Sequence, residues 1–238
     1  MSVRELRRLA AARGRYQTVG FALGALMIVS GLFHLGVFLV DGGEWKGPVS
    51  WRKPVTFGLS FGLTTVTLAW IAGLLPQRRL LKAAVLTLAL ASALEVLLVS
   101  MQRWRGVPSH FNVATPFDEA MFAAMGITVT FIVLAILVLT AYAFGEVAGG
   151  RVMAVAVRAG MLLLVAAQFL GAAIIANGIA IDRPPTETDL AIFGAAGVMK
   201  LSHAVTMHGI QVLPALGVAL SVSKVDRSQS LRVMWMAV

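Results

Sequence analysis

Cysteine is absent from this chain of 238 residues. Disulfides, thiolate metal centres, Cys-x-x-Cys redox pairs and covalent haem attachment are thereby excluded. Charge is scarce as well. Asp, Glu, Lys and Arg make up 13% of the residues, against about a quarter in an ordinary soluble domain. The acidic types are the rarer, 11 against 20 basic residues, which leaves a formal net charge of +9. No Walker phosphate loop and no G-x-S-x-G nucleophile elbow occurs. There is also no internal repeat, low-complexity tract or separate soluble domain.

What fills the chain instead is apolar. Hydrophobic residues reach 58% and the mean hydropathy is +0.85. A membrane span needs roughly 20 apolar residues. Six segments meet that length, at about 16–40, 55–75, 83–101, 120–144, 153–178 and 201–223. The expected fold is an all-α polytopic membrane helix bundle of six transmembrane helices, forming a single membrane domain over 1–238. The first run, Tyr16 to Val40, is too long for a signal-peptide core and has no small-residue cleavage site, so it reads as a retained span. The C-terminal "LRVMWMAV" is too short to cross; it reads as a surface piece or as the start of a truncated seventh span.

The basic residues flank apolar runs, which points to lipid headgroups rather than nucleic acid. Most Lys and Arg fall on the side of the N-terminus, so the expected placement is a multi-pass protein of the cell inner (plasma) membrane with that terminus cytoplasmic. Residues 1–15 are read as a basic interfacial helix, Ser2 and Glu5 having capping-box spacing. Trp45, Trp51 and Trp104 suit an interfacial aromatic belt. Thr115, Pro116 and Asp118 form a helix-start pattern, with Asp118 and Glu119 facing the positive end of the fourth helix. Asp189 after Thr188 reads the same way. Gly20 with Gly24, and Gly58 with Gly62, are small-xxx-small pairs suited to close helix packing.

Ionisable groups inside spans are expensive and are functional candidates by default. Glu95 has no neighbour in its own helix to neutralise it, so it must be protonated, paired or bound to a metal. His34 and Glu95 each lie about 9 Å below the outer boundary, counted at 1.5 Å per residue. His203 and His208 lie on the sixth span, and His110 in the outer loop after the Glu95 helix. These five residues define an expected outward-facing polar pocket. Glu95, His34, His110, His203 and His208 are the candidate metal ligands, with His34, His203 and His208 as cofactor-binding residues and Glu95 as a catalytic base. Nitrogen and carboxylate donors suit zinc, iron, copper or haem. His203 and His208 are five residues apart, about 140° around a helix, which is a weak ligand pair. Arg52 and Lys53 sit at the positive end of the second helix, a pattern suited to an anion. With Arg103, Arg105 and Lys200 they form a candidate site for an anionic small molecule or lipid headgroup on the outer face.

The segments "WRKPVTFGLSFG", "QRWRGVPSHFNVATPFD" and "SHAVTMHGIQVLP" resemble a widespread family of uncharacterised bacterial polytopic inner-membrane proteins. The resemblance covers most of the chain and implies no particular activity. A weaker, partial likeness is to the seven-helix ceramidase and adiponectin-receptor-like hydrolases, which hold zinc on intramembrane histidines including an H-x-x-x-H pair. The His203–His208 spacing is one residue longer than that pair, and six full spans are visible rather than seven. Three functions follow as expectations: a metal- or haem-binding membrane enzyme or redox protein; a small proton-coupled transporter with Glu95 as the titrating carrier; or a non-enzymatic assembly or sensor protein.

Overall fold

The computed structural model describes residues 14–180, 199–223 and 225–238, with side chains omitted for 178–180. The basic N-terminal helix and the capping role of Asp189 lie outside the described residues. Within them the fold is all-helical: α1 (Arg15–Asp41), α2 (Arg52–Ala72), α3 (Arg79–Trp104), α4 (Pro116–Ala143), α5 (Gly150–Ala180), α6 (Lys200–Val222) and α7 (Arg227–Ala237). The first six are long and apolar enough to cross a membrane. Helices α2, α3 and α4 each begin about a turn earlier than their apolar runs. Hydropathy detects the greasy middle of a helix, whereas its first turn carries polar residues such as Arg52, Arg79 and Asp118.

The C-terminal segment is helical but does not span. Eleven residues reach about 16 Å at 1.5 Å per residue. Asp226 caps α7 by accepting from the Ser228 N–H at 2.9 Å. Met234 is fully buried against Ala156 of α5 and Leu213 of α6, so α7 lies against the ends of those helices.

Helices α1 and α2 meet backbone to backbone. A Cβ at Gly24 would stand 2.6 Å from Val66 Cγ2, and one at Gly62 2.7 Å from the Gly24 oxygen. Gly31, which belongs to neither sequence pair, lies equally close: its Cβ would be 2.9 Å from the Leu59 nitrogen. Lipid is as apolar as a side chain, so membrane helices gain by close packing rather than by hydrophobic burial, and glycine permits the closest approach. Helices α5 and α6 repeat the device at Gly160 and Gly209.

The two ends of the bundle differ in chemistry. The largest apolar core gathers Leu68, Ile71, Leu81, Leu88, Leu139 and Met153, toward the end that holds the α2–α3 turn. At that end Arg158 donates to the carbonyls of Ala143 at 3.0 Å and Gly145 at 2.9 Å. Arg158 thus closes the C-terminus of α4. Buried polar side chains concentrate toward the opposite end, near loops 42–51 and 105–115: His34, Ser50, Glu95, Ser100, Gln102, Ser109, Asn112 and Asp118. That asymmetry positions the site.

Candidate functional site

Glu95 on α3 has no exposed surface. Its Oε2 lies 2.5 Å from Thr128 Oγ1 of α4. Its Oε1 makes no hydrogen bond and faces His110 Nε2 at 4.0 Å. Thr128 Oγ1 is also 2.8 Å from the Met125 carbonyl. One hydroxyl proton cannot serve two acceptors. If Glu95 is a carboxylic acid donating from Oε2 to Thr128, which in turn donates to Met125, both contacts are satisfied and Oε1 alone lacks a hydrogen bond. An ionised Glu95 leaves one acceptor short in a dry interior, where that is most expensive. Thr128 was not singled out from sequence; among the many apolar residues of α4 only tertiary packing marks it.

His110 reaches Glu95 because its loop is braced. Asn112 Nδ2 donates to the Pro108 carbonyl at 3.3 Å, and Asn112 Oδ1 accepts from the Ala114 N–H at 3.1 Å. The neighbouring Phe111 takes φ 58°, a region uncommon for a bulky residue. Rings of Phe57 and Phe122 flank the imidazole, with centroids at 5.7 and 6.3 Å. Lys53 Nζ at the start of α2 donates to Ser109 Oγ at 3.3 Å, and that hydroxyl is 2.9 Å from His110 Nδ1. Because lysine only donates, a consistent direction runs from Lys53 through the Ser109 hydroxyl into Nδ1, leaving the Nε2 proton toward Glu95. Burial, then the positive fields of Lys53 and Lys200, push the His110 pKa down to about 3, so the ring is neutral at physiological pH.

This has a consequence for stability. The folded value of about 3 lies below the ordinary 6.5. Between those values the unfolded chain binds more protons, so acidification from 6.5 toward 3 destabilises the fold. The slope is up to about 1.4 kcal/mol per pH unit. Thermal melts of detergent-solubilised protein between pH 7.5 and 5 are expected to show this loss, and a shallower one in His110→Gln. Equal slopes would remove His110 as the cause.

The other expected residues are placed differently. His34 donates from Nδ1 to the Ser30 carbonyl at 2.7 Å and accepts at Nε2 from Trp104 Nε1 at 3.0 Å. Both ring nitrogens are engaged in these hydrogen bonds. His203 Nδ1 donates to the Ala167 carbonyl of α5 at 2.7 Å, an interhelical tie beside Gly171. His208 is half-buried, and its imidazole makes no hydrogen bond among the described residues. Gln211, on the same helix, donates to Thr64 of α2 at 3.1 Å. Among the described residues no three His, Asp or Glu side chains stand close enough to share a metal ion. Of the five expected ligands only Glu95 and His110 come together, and the metal or haem reading gains no ligand set.

The arginines divide. Arg105 turns to Asp118, 2.6 Å away, and to Gln102. Asp118 also takes the Thr115 hydroxyl at 2.7 Å, while Thr115 Oγ1 accepts from the Asp118 N–H at 3.2 Å. The expected capping role of Thr115 and Asp118 is therefore present, and Arg105 completes it rather than meeting a ligand. Arg103 lies over the Trp51 ring at 3.9 Å, and Glu44 attracts it electrostatically. Trp51 is buried edge-on to Trp104, with centroids 5.0 Å apart. Trp51 thus belongs to an internal stack and not to a lipid-facing belt. Arg52 and Lys200 both stand near enough to Lys53 to repel it, so these three of the five cations read from sequence gather at one place.

Six apolar spanning helices with a buried carboxyl under a cationic rim define a multi-pass integral membrane protein. No family model matches the chain, and neither a curated protein nor a solved structure does.

Proposed function

We propose that the protein is a small carrier that moves an anion together with a proton, with Glu95 as the titrating group. The observation that carries this reading is Glu95 itself: fully buried, with one oxygen on Thr128 and the other turned without a hydrogen bond toward His110. An intramembrane carboxyl of this kind marks proton relays in pumps and transporters. Lys53 and Lys200 supply the coupling, since their charge helps keep His110 unprotonated. An anion that neutralises them raises the proton affinity of the imidazole beside it. By linkage the proton then strengthens the anion's binding by the same factor. Glu95 lies within reach of a small movement of the His110 loop: a proton taken up at Nδ1 from the Ser109 side makes the ring an imidazolium, which can then pass its Nε2 proton to an ionised Glu95. The Lys/Arg bias favours a cytoplasmic N-terminus, which leaves the His110 loop on the outer face of the membrane.

The test is reconstitution of the full chain into phosphatidylcholine vesicles holding a pH-sensitive dye. Addition of inorganic phosphate, acetate or lactate outside, at lower external pH, is expected to acidify the interior faster than in protein-free vesicles for at least one of the three. Identical traces for all three would sink the carrier reading.

A further inference from the structure

Beneath loop 42–51 lies a narrow crevice, too tight as it stands to hold a water molecule, whose polar lining is Ser50, Lys53, Arg103 and Ser109, with Val99 and Val107 among its apolar walls. Every cation or hydroxyl there is able to donate, and no carboxylate lines the cleft. Ser50 is 1% exposed, and its hydroxyl has no partner. The Nε of Arg103 is likewise buried without an acceptor. Unsatisfied buried donors are rare in native proteins and call for an explanation. Here two of them line one cleft, beside an ammonium.

The helix that ends at this cleft adds to the imbalance. Trp51 stands at the N-cap of α2 and supplies no side-chain cap, and no acidic residue occupies the first turn. Arg52 and Lys53 occupy it instead. Cations at the positive end of a helix are unfavourable, whereas an anion is favoured there. Glu44 offsets part of the Arg103 charge from the loop side; Lys53 has no carboxylate within ion-pair distance among the described residues.

We infer that this crevice, opened by a shift of loop 42–51, is an oxyanion site for a phosphate-type group, held by Lys53 Nζ, Arg103 Nε and the Ser50 hydroxyl at the N-terminus of α2. Three donors from separate elements suit a group that presents several oxygens, and two cations suit its charge. Ser109 joins the site to the proton pair, since it receives Lys53 and touches His110. The inference deepens the carrier reading and rests on it for the fate of the bound group. Binding itself is measured without flux. A free phosphate and a lipid phosphodiester share the required chemistry.

The experiment uses the full chain in nanodiscs. In phosphatidylcholine discs, calorimetric titration with inorganic phosphate is expected to give saturable binding, weakened at least tenfold in Ser50→Ala and in Lys53→Gln. Glu95→Gln is expected to keep it, and phosphate binding without proton-coupled uptake in the wild-type chain would sink the carrier reading alone. In discs containing phosphatidylglycerol, native mass spectrometry reads retained lipid. Retention that depends on Ser50 and Lys53, with no phosphate binding in the neutral discs, identifies a headgroup as the source. Ser50→Ala removes a single oxygen, and an unchanged melting temperature certifies its fold. Absence of both ligands, or binding indifferent to both variants, overturns the site.

Discussion

Glu95→Gln is expected to cut proton-coupled uptake by about 100-fold or more, the scale on which a positioned proton-transfer group contributes. Glutamine has the same volume and its amide can meet the Thr128 hydroxyl, but it carries no transferable proton. Glu95 is completely enclosed, so the variant also removes the only carboxyl that would have to ionise there. Its melting temperature is accordingly expected to equal or exceed that of the wild type, because a neutral isostere of a buried ionisable group is often neutral or stabilising. The two readouts separate a carrier from a structural acid. Lost uptake with retained stability supports the relay. Uptake within twofold of wild type would remove Glu95 from it.

Gly58→Val is expected to be the most damaging single change to the fold. A Cβ at Gly58 would lie 2.7 Å from Gly31 Cα, from Gly31 N and from the Met27 oxygen. All three are backbone atoms and cannot rotate aside, so α1 must move away from α2. Overpacking typically costs about 1–3 kcal/mol, and a backbone clash belongs at the upper end. Loss of folded protein from detergent extracts, or a melting temperature lowered by several degrees, is the measurement. Gly36→Ala and Gly126→Ala are the controls, since nothing lies within 4 Å of a Cβ at either place. Both are expected to be neutral or to stabilise by about 0.5–1 kcal/mol through lower backbone entropy. If Gly58→Val behaves like these controls, close α1–α2 packing does not hold the bundle together.

The separate behaviour of the arginines shows where sequence reading stops. Arg103 and Arg105 are two residues apart in one polar segment and were read together as anion contacts. A two-residue step on a helix turns side chains about 200° apart. Arg105 therefore meets the start of α4, where Asp118 waits, while Arg103 meets the Trp51 ring from loop 42–51. The same limit applies to the histidines. Depth along the helix placed His34 and Glu95 in one layer, but depth says nothing of direction. His34 turns to Trp104, whereas Glu95 turns to Thr128 and His110.

The sequence by itself determined the number of spans, their approximate ends, the cap at Thr115, two glycine pairs suited to close packing, and the group most costly to bury. Each of these follows from local composition or from spacing along one helix. Which polar groups touch was decided by the tertiary structure. That depends on how each helix is rotated about its axis, and rotation is set by packing against neighbours far along the chain. The short C-terminal helix is the plainest case: its length was legible, but only the burial of Met234 between α5 and α6 decided where it lies.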